Sequence, residues 1–393
     1  MSLPLEGVRI IAVEQYGAGP FGTQHLADLG AEVIKIENPN DGGEVGRQVG
    51  PYFFEEGDSH FYQSFNRNKK SVTLDLKNPT DKAQLIELIK TADALYDNLR
   101  GDLPEKLGLT YSRLKEHNPA LVCAHLSAYG REGTRKAWPG YDYLMQAEAG
   151  YCSLTGEPGG PPARFGLSII DMMTGTTAAL ALVSALVGAR ATGQGRDIDV
   201  SLFDVAMHNV NYLGTWYLNE GVTTARTPRS GHPSLTPSQL YRTQDGWMFI
   251  MCNKEKFWAV LANLIGKPEW ATDPRYCNFK ARLANRNELT EELDGVLMTH
   301  PTAYWLEHFG GQVPAAPVND IAQALDNPFV EAQGLIVESD HPVRGKIKTL
   351  ACPIKCPGER LPTQPAPRLG AHNQSILGAL ERPKGATKRA GAL

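Results

Sequence analysis

Cysteine, surplus charge and long apolar runs are all scarce in this 393-residue chain, and each shortage excludes something. The six cysteines, Cys123, Cys152, Cys252, Cys277, Cys352 and Cys356, are scattered. The nearest pair, Cys352 and Cys356, has no second pair or histidine cluster with which to complete a zinc site. They read as reduced thiols of a cytosol-like compartment, and no metal is expected. A net charge of −4 gives no general attraction to nucleic acid or to an anionic membrane, so an anionic ligand must be met by local cations. The longest apolar run, Ala178 to Ala189, is too short to span a bilayer. Met1 to Gly7 lacks the basic start of a secretory signal. Missing too are the G-x-S-x-G, H-E-x-x-H and Walker signatures. The expectation is a soluble cytoplasmic protein with no nucleic-acid or membrane partner.

What is present is alternation. Val8 to Val13 reads as a strand, Gly17 to Gly22 as a glycine-rich loop, Thr23 to Leu29 as a helix and Ala31 to Glu37 as a second strand. Further strands are expected at Ser71–Leu76, Ala94–Asn98, Leu121–Leu126 and Asp197–Leu202, with helices at Pro79–Thr91 and Tyr111–Asn118 between them. Apolar runs alternating with amphipathic segments imply an α/β fold with a parallel sheet and right-handed crossovers. Gly, Thr, Pro, Arg and Ser crowd together from Asn219 to Thr236, which marks a linker between lobes. Beyond it come a strand at Trp247–Met251, helices at Glu255–Ile265, Arg286–Met298 and Ala303–Phe309, and short strands within Val330–Leu350. Arg382 to Leu393 reads as a loose tail.

Several motifs admit a chemical reading and a bland one. Gly17, Gly19 and Gly22 satisfy G-x-G-x-x-G between a strand and a helix, with Glu37 placed where a ribose-binding acid would stand. Pro20 argues against a nicotinamide nucleotide, because it removes an N–H of the kind that holds pyrophosphate. The alternative is a tight turn that needs three glycines. Asn66-Arg67-Asn68-Lys69-Lys70 beside a strand has the charge to hold phosphate, but such a cluster is more often a solvated turn. Asp171 lies between a strand-like run, Phe165 to Ile170, and an Ala/Leu-rich helix. A helix start can keep a shielded carboxylate ionised, which suits a nucleophile, although aspartate there commonly only caps.

Several of these stretches, taken in order, resemble the class III CoA-transferase family, also called the carnitine-dehydratase/bile-acid-inducible family. They are Ala18-Gly19-Pro20, Leu26 to Glu37, Asn66 to Lys77, Asp97 to Arg100, Pro139 to Asp142 and Ile170 to Gly175. The resemblance implies a Rossmann-like large domain from residues 1–218 and 326–393, a smaller α+β domain within 219–325, and an interlocked homodimer. It implies that Asp171 is the nucleophile and that coenzyme A is bound as a substrate, with no tightly held cofactor. By position, contacts to CoA are implied at Gly17, Ala18, Asn38, Leu74, Lys77, Asn98, Leu99, Lys106, Tyr141 and Leu202. The other partners implied are an acyl-CoA and a carboxylic acid.

The departures narrow the reading. Formyl-CoA transferases carry glutamine in place of Gly17, arginine in place of Asn38, and a mobile glycine run where this chain has Ser230 to Thr236. That argues against the formyl/oxalate pair and leaves protection of the intermediate to other residues. Family racemases use a histidine where Tyr141 stands, and tyrosine is a poor base near neutral pH. An acyl-CoA racemase or isomerase remains the alternative. The mechanism implied is attack by Asp171 on the thioester to form an aspartyl anhydride, then an aspartyl-CoA thioester, then transfer to the acceptor. Backbone N–H groups near Thr174-Gly175 or in the Gly17 loop are expected to hold the oxyanion. Arg47, Arg67 or Arg229 is expected to hold the far carboxylate of a dicarboxylic donor such as succinyl-CoA.

Overall fold

The computed structural model describes residues 2–356 and 358–380, so the tail expected at Arg382 to Leu393 lies outside the described residues. The chain divides into two compact units. The first takes residues up to 149, 166–211 and those from 329 onward; the second takes 150–165 and 212–328.

The first unit is built on six parallel strands: β1 (Arg9–Val13), β2 (Glu32–Glu37), β3 (Lys70–Thr73), β4 (Ala94–Asp97), β5 (Val122–Ser127) and β6 (Arg196–Ser201). Their order across the sheet is β3-β2-β1-β4-β5-β6. Strands β1, β4 and β5 read as continuous apolar runs because a parallel sheet is covered on both faces. On one face Ile11, Ile34, Val72 and Leu95 pack with Leu85, Leu88 and Ile89 of a helix that follows β3.

Helix α1 (Ala18–Asp28) begins inside the glycine-rich loop rather than at Thr23. Pro20 falls in its first turn, where the N–H it lacks would have had no intrahelical partner. Gly30, at φ +102°, stops it. Next come α2 (Pro79–Ile89), α3 (Asp142–Glu148), α4 (Ile169–Thr192) and α5 (Leu202–Asn209). Asn78 caps α2 by accepting the Thr80 N–H, and Ser201 caps α5 by accepting that of Asp204.

Helix α4 packs on α1, β5 and β6. A Cβ on Gly22 would lie 2.5 Å from the Gly175 carbonyl oxygen, so these glycines bring α1 and α4 together backbone to backbone. At 24 residues α4 is long and apolar enough to cross a bilayer by length and composition, unlike the shorter run read from sequence. Leu182 and Leu186 are nevertheless buried in this fold, while Leu180 and Val187 are exposed.

Residues 212–328 supply the second unit with an antiparallel sheet of β7 (Ser238–Arg242), β8 (Trp247–Met251) and β9 (Ala315–Pro317), in the order β9-β8-β7. Trp258, Leu261, Leu289, Leu293, Trp305 and Phe309 fill its core. The segment 150–165 belongs here because the Arg226 guanidinium donates to the carbonyls of Cys152, Gly160 and Pro161.

The returning chain of the first unit forms a hairpin, β10 (Ile336–His341) and β11 (Gly345–Leu350). It then covers the open edge of β3. His372 donates its N–H to the Ser71 carbonyl, and Asn373 binds both the N–H and the hydroxyl of Thr73.

Candidate active site

The strand order reverses between β1 and β4, so the loops leaving them diverge and open a crevice at the carboxyl ends of the strands. A cavity of about 170 Å³ lies there. Of the residues marked in the sequence, Gly17, Ala18, Asn98, Leu99, Tyr141, Asp171 and Leu202 line it. Asn38, Leu74, Lys77 and Lys106 do not. Asn38 follows β2 and caps the turn Pro39–Asp41, while Leu74 is buried after β3. Lys77 lies exposed in the turn beyond Leu74, its N–H held by Asp75. Lys106 reaches Asp102 at 2.6 Å, and Arg100 at the cavity wall reaches the same carboxylate. Arg100 is the only cationic side chain among the described lining residues.

Residues 165–168 are not a strand; Gly166 and Ser168 interrupt the apolar run, and α4 starts at Ile169. Asp171 is therefore in the first turn but is not the cap. Capping falls to a residue from another helix: the Asp171 N–H donates to Asp142 Oδ2 at 2.9 Å. Asp142 is itself buried, and its other oxygen accepts from Gln146 at 2.5 Å. The Asp171 carboxyl is left without a hydrogen-bond donor among the described residues and is 8% exposed. Burial, and then the charge of Asp142, push it up to about 7. The helix start does not keep this carboxyl strongly ionised, contrary to expectation, because desolvation outweighs the favourable end of the helix.

The glycine-rich loop is explained by close approach. A Cβ on Gly17 would stand 2.5 Å from Asp171 Oδ2, and one on Gly19 would stand 2.7 Å from the Asn98 side chain. Asn98 in turn accepts the Gln15 N–H at 2.8 Å and donates to the Gln15 carbonyl at 2.7 Å, tying the β4 loop to the β1 loop. Behind Asn98, Asp97 accepts a ring nitrogen of His125 at 2.6 Å, and Asp197 takes the other at 3.0 Å. Burial opposes a charged ring there, but hydrogen bonds to Asp197 and Asp97 prevail and hold His125 at about 9.

The cations expected to meet ligands are already paired. Glu37, the candidate ribose acid, is buried and holds Arg47 through two bonds of 2.7 Å. Arg67 binds Asp28 at 2.6 Å, Lys69 binds Glu14 at 2.7 Å and Lys70 binds Glu32 at 2.6 Å. The run Asn66 to Lys70 is thus neither a phosphate grip nor a solvated turn, because Arg67 and Lys69 are buried. In the second unit Arg229 pairs with Asp294 at 2.5 Å. None of Arg47, Arg67 and Arg229 is free for a distal carboxylate. Two groupings of potential metal ligands, His25/Asp28/Cys352 and Glu55/Asp58/His341, include carboxylates held by Arg67 and Arg368 respectively.

A Rossmann-ordered sheet with a buried, unbonded carboxyl at its crevice frames a candidate site, and comparison with known proteins gives the class. Residues 5–373 match the model of CoA-transferase family III. A succinate–glutarate CoA-transferase of Agrobacterium fabrum is 33% identical over 96% of each chain. An acetyl-CoA:oxalate CoA-transferase of Acetobacter aceti is 36% identical over 90% of each. A crystal structure of a CaiB/BaiF family protein from Brucella suis superposes with a TM-score of 0.83 at 31% identity, covering 97% of this chain and all of that one. The chain belongs to CoA-transferase family III and is an enzyme of that class, for which coenzyme A is a substrate.

In the sequence Asp142 stands out only as the end of the motif Pro139 to Asp142, and its capping role has no local signal: it lies 29 residues from Asp171. Arg100, Trp138 and Tyr16 also line the cavity without having been assigned a role there.

Proposed function

We propose that this enzyme moves CoA from an acyl-CoA to a free carboxylate by covalent catalysis at Asp171, with dicarboxylic acids as its substrates. The observation that carries it is the Asp171 carboxyl, buried, unbonded and pressed against Gly17 at the cavity wall. An Asp171 oxygen attacks the thioester carbonyl and CoA leaves as thiolate, giving a mixed anhydride. The thiolate then attacks the aspartyl carbonyl, releasing the donor carboxylate and leaving an aspartyl-CoA thioester. The acceptor carboxylate attacks that thioester to form a second anhydride, and the returning thiolate completes acceptor-CoA and frees Asp171. A carboxyl held near 7 is more basic than an ordinary aspartate and is still substantially ionised at neutral pH.

The oxyanion donor belongs to the start of α1, where the Ala18 N–H has no intrahelical partner and Ala18 lines the cavity. Gly175 is excluded from that role by its packing against Ala18. The nucleotide end of CoA would run along the carboxyl edge of the sheet past Asn38, Leu74, Lys77 and Lys106. Arg100 takes the distal carboxylate, a reading supported by its place in the cavity and by the relative named for succinate and glutarate. The exposed Leu180 and Val187 of α4 would be covered by a second copy in an interlocked homodimer, in the cytoplasm, with the second unit, residues 150–165 and 212–328 rather than 219–325 alone, as the small domain.

The test is incubation with succinyl-CoA, trapping with hydroxylamine and mass spectrometry of the peptide carrying Asp171. A hydroxamate on Asp171, and loss of exchange in a folded Asp171→Ala variant, are expected. Deuterium exchange at the α-carbon without any acceptor acid would instead indicate a racemase.

A further inference from the structure

We propose that the ring of Tyr16, whose backbone N–H is held by Glu44, is the water shield of the Asp171 intermediates. This inference rests on the covalent reading of Asp171 and adds what that chemistry lacks: an aspartyl anhydride or thioester in a wet site is hydrolysed.

Tyr16 adopts φ +67°, a left-handed conformation that is uncommon for a residue with a side chain and unusual for a bulky one. The next residue is a glycine, yet the turn places tyrosine, not Gly17, at the strained position. The strain is held by a buried clamp. The Tyr16 N–H donates to Glu44 Oε2 at 2.8 Å, and the Gly46 N–H donates to the same oxygen at 3.0 Å. The other Glu44 oxygen accepts from Asn66 at 3.2 Å and faces the fully buried Lys35 ammonium at 3.6 Å.

A backbone held this way sends the ring to the cavity that contains Asp171. There it meets the edge of Tyr141, centroids 6.1 Å apart, and leans on Phe61 at 5.2 Å. The charge of Asp171 contributes to raising the Tyr16 phenol, after burial, which places the two groups in one electrostatic neighbourhood. Tyr16 and Tyr141, backed by Phe61, therefore form an aromatic wall at the cavity that holds Asp171. The role is assigned to the ring, since excluding water needs bulk and not a hydroxyl.

The test compares wild type, Tyr16→Phe, Tyr16→Gly and Asp171→Ala with succinyl-CoA and glutarate. CoA transfer is followed by mass spectrometry, and hydrolysis by free CoA formed in excess of transfer. Glycine is at ease at this backbone angle, so Tyr16→Gly relieves strain and removes the ring without threatening the fold. It is expected to raise the ratio of hydrolysis to transfer at least tenfold, while Tyr16→Phe stays within twofold of wild type. An unchanged ratio in Tyr16→Gly overturns the shield, and so does a Tyr16→Phe that hydrolyses as Tyr16→Gly does. Failure of the underlying reading looks different: transfer that survives in Asp171→Ala, or wild type that transfers nothing from succinyl-CoA.

Discussion

Asp142 and Asp171 stand in an asymmetric relation: the first accepts the backbone N–H of the second at 2.9 Å while its charge raises the second's carboxyl. One buried acid thus does a structural job at the start of α4 and an electrostatic job at the proposed nucleophile. The two can be separated. Asp142→Asn keeps an oxygen for the N–H but removes the charge, so the Asp171 carboxyl should titrate below its present value of about 7. The acid limb of kcat/KM, which reports the ionised nucleophile in the free enzyme, should move to lower pH. A limb that does not move would show that burial alone sets the nucleophile. Asp142→Ala removes the acceptor as well and should destabilise the fold by roughly 1–3 kcal/mol, the ordinary consequence of an unsatisfied buried N–H.

Stability should carry the same signature. The folded value of Asp171 lies near 7, above the ordinary 3.8. Between those pH values the native protein holds a proton that the unfolded chain has released. Native stability therefore declines as pH rises through that window, by roughly 1.4 kcal/mol per pH unit for this one group. Asp171→Asn does not titrate, so its stability relative to wild type should grow from pH 4.5 to pH 7 and then level off. Urea unfolding at fixed protein concentration measures this, and a constant difference across that range contradicts the assignment.

The order of elements was legible because strands β1, β2, β4, β5 and β6 and helix α2 are marked by runs, caps and stops within a few residues of one another. Gly30 ends α1 as its position suggested, and Asn78-Pro79 opens α2. Strand β7 has no apolar run to mark it because Ser238 and Gln239 are polar yet buried, and Gln239 Nε2 finds its acceptor, the Thr290 hydroxyl, on a helix 51 residues on. The cations follow the same rule. Arg47, Arg67 and Lys69 look available for ligands in a linear reading, since their partners Glu37, Asp28 and Glu14 become neighbours only when the sheet is assembled. Asp171 was found by resemblance, but its unbonded carboxyl depends on Asp142 taking over the cap, a contact no local pattern announces.

Gly17 at the cap of α1 and Gly22 within it make a sharper comparison. Gly17→Ala places a methyl 2.5 Å from Asp171 Oδ2, whereas Gly22→Ala places one 2.5 Å from the Gly175 carbonyl oxygen. The first clash is with a side chain at the cavity wall, which can turn aside at the expense of its aim. The second is with backbone between two packed helices, which has nowhere to go. Gly17→Ala should therefore lose at least a hundredfold in kcat with a small change in Tm. Gly22→Ala should destabilise by roughly 1–3 kcal/mol, as overpacking does. Thermal melts beside single-turnover acylation would separate them, and equal losses of stability would refute the distinction.

On the proposed reading, Arg100 sets the substrate class. It lines the cavity with Nε and Nη2 on Asp102, a largely shielded acid that it shares with Lys106, and its Nη1, bonded to none of the described residues, is left for a second carboxylate. Exposure limits what that pairing contributes to stability, and replacing the arginine should leave the fold intact. Arg100→Met should raise KM for glutarate or succinate about tenfold or more, the range expected when one charge-assisted hydrogen bond to an anion is lost. A monocarboxylate acceptor such as butyrate has no second anion to lose and should be little affected. Lys106→Met serves as the control, since Lys106 shares the same acid without lining the cavity. Should both variants weaken glutarate and butyrate alike, Arg100 would be acting on CoA rather than on the far end of the acid, and the dicarboxylate reading would lose its cation.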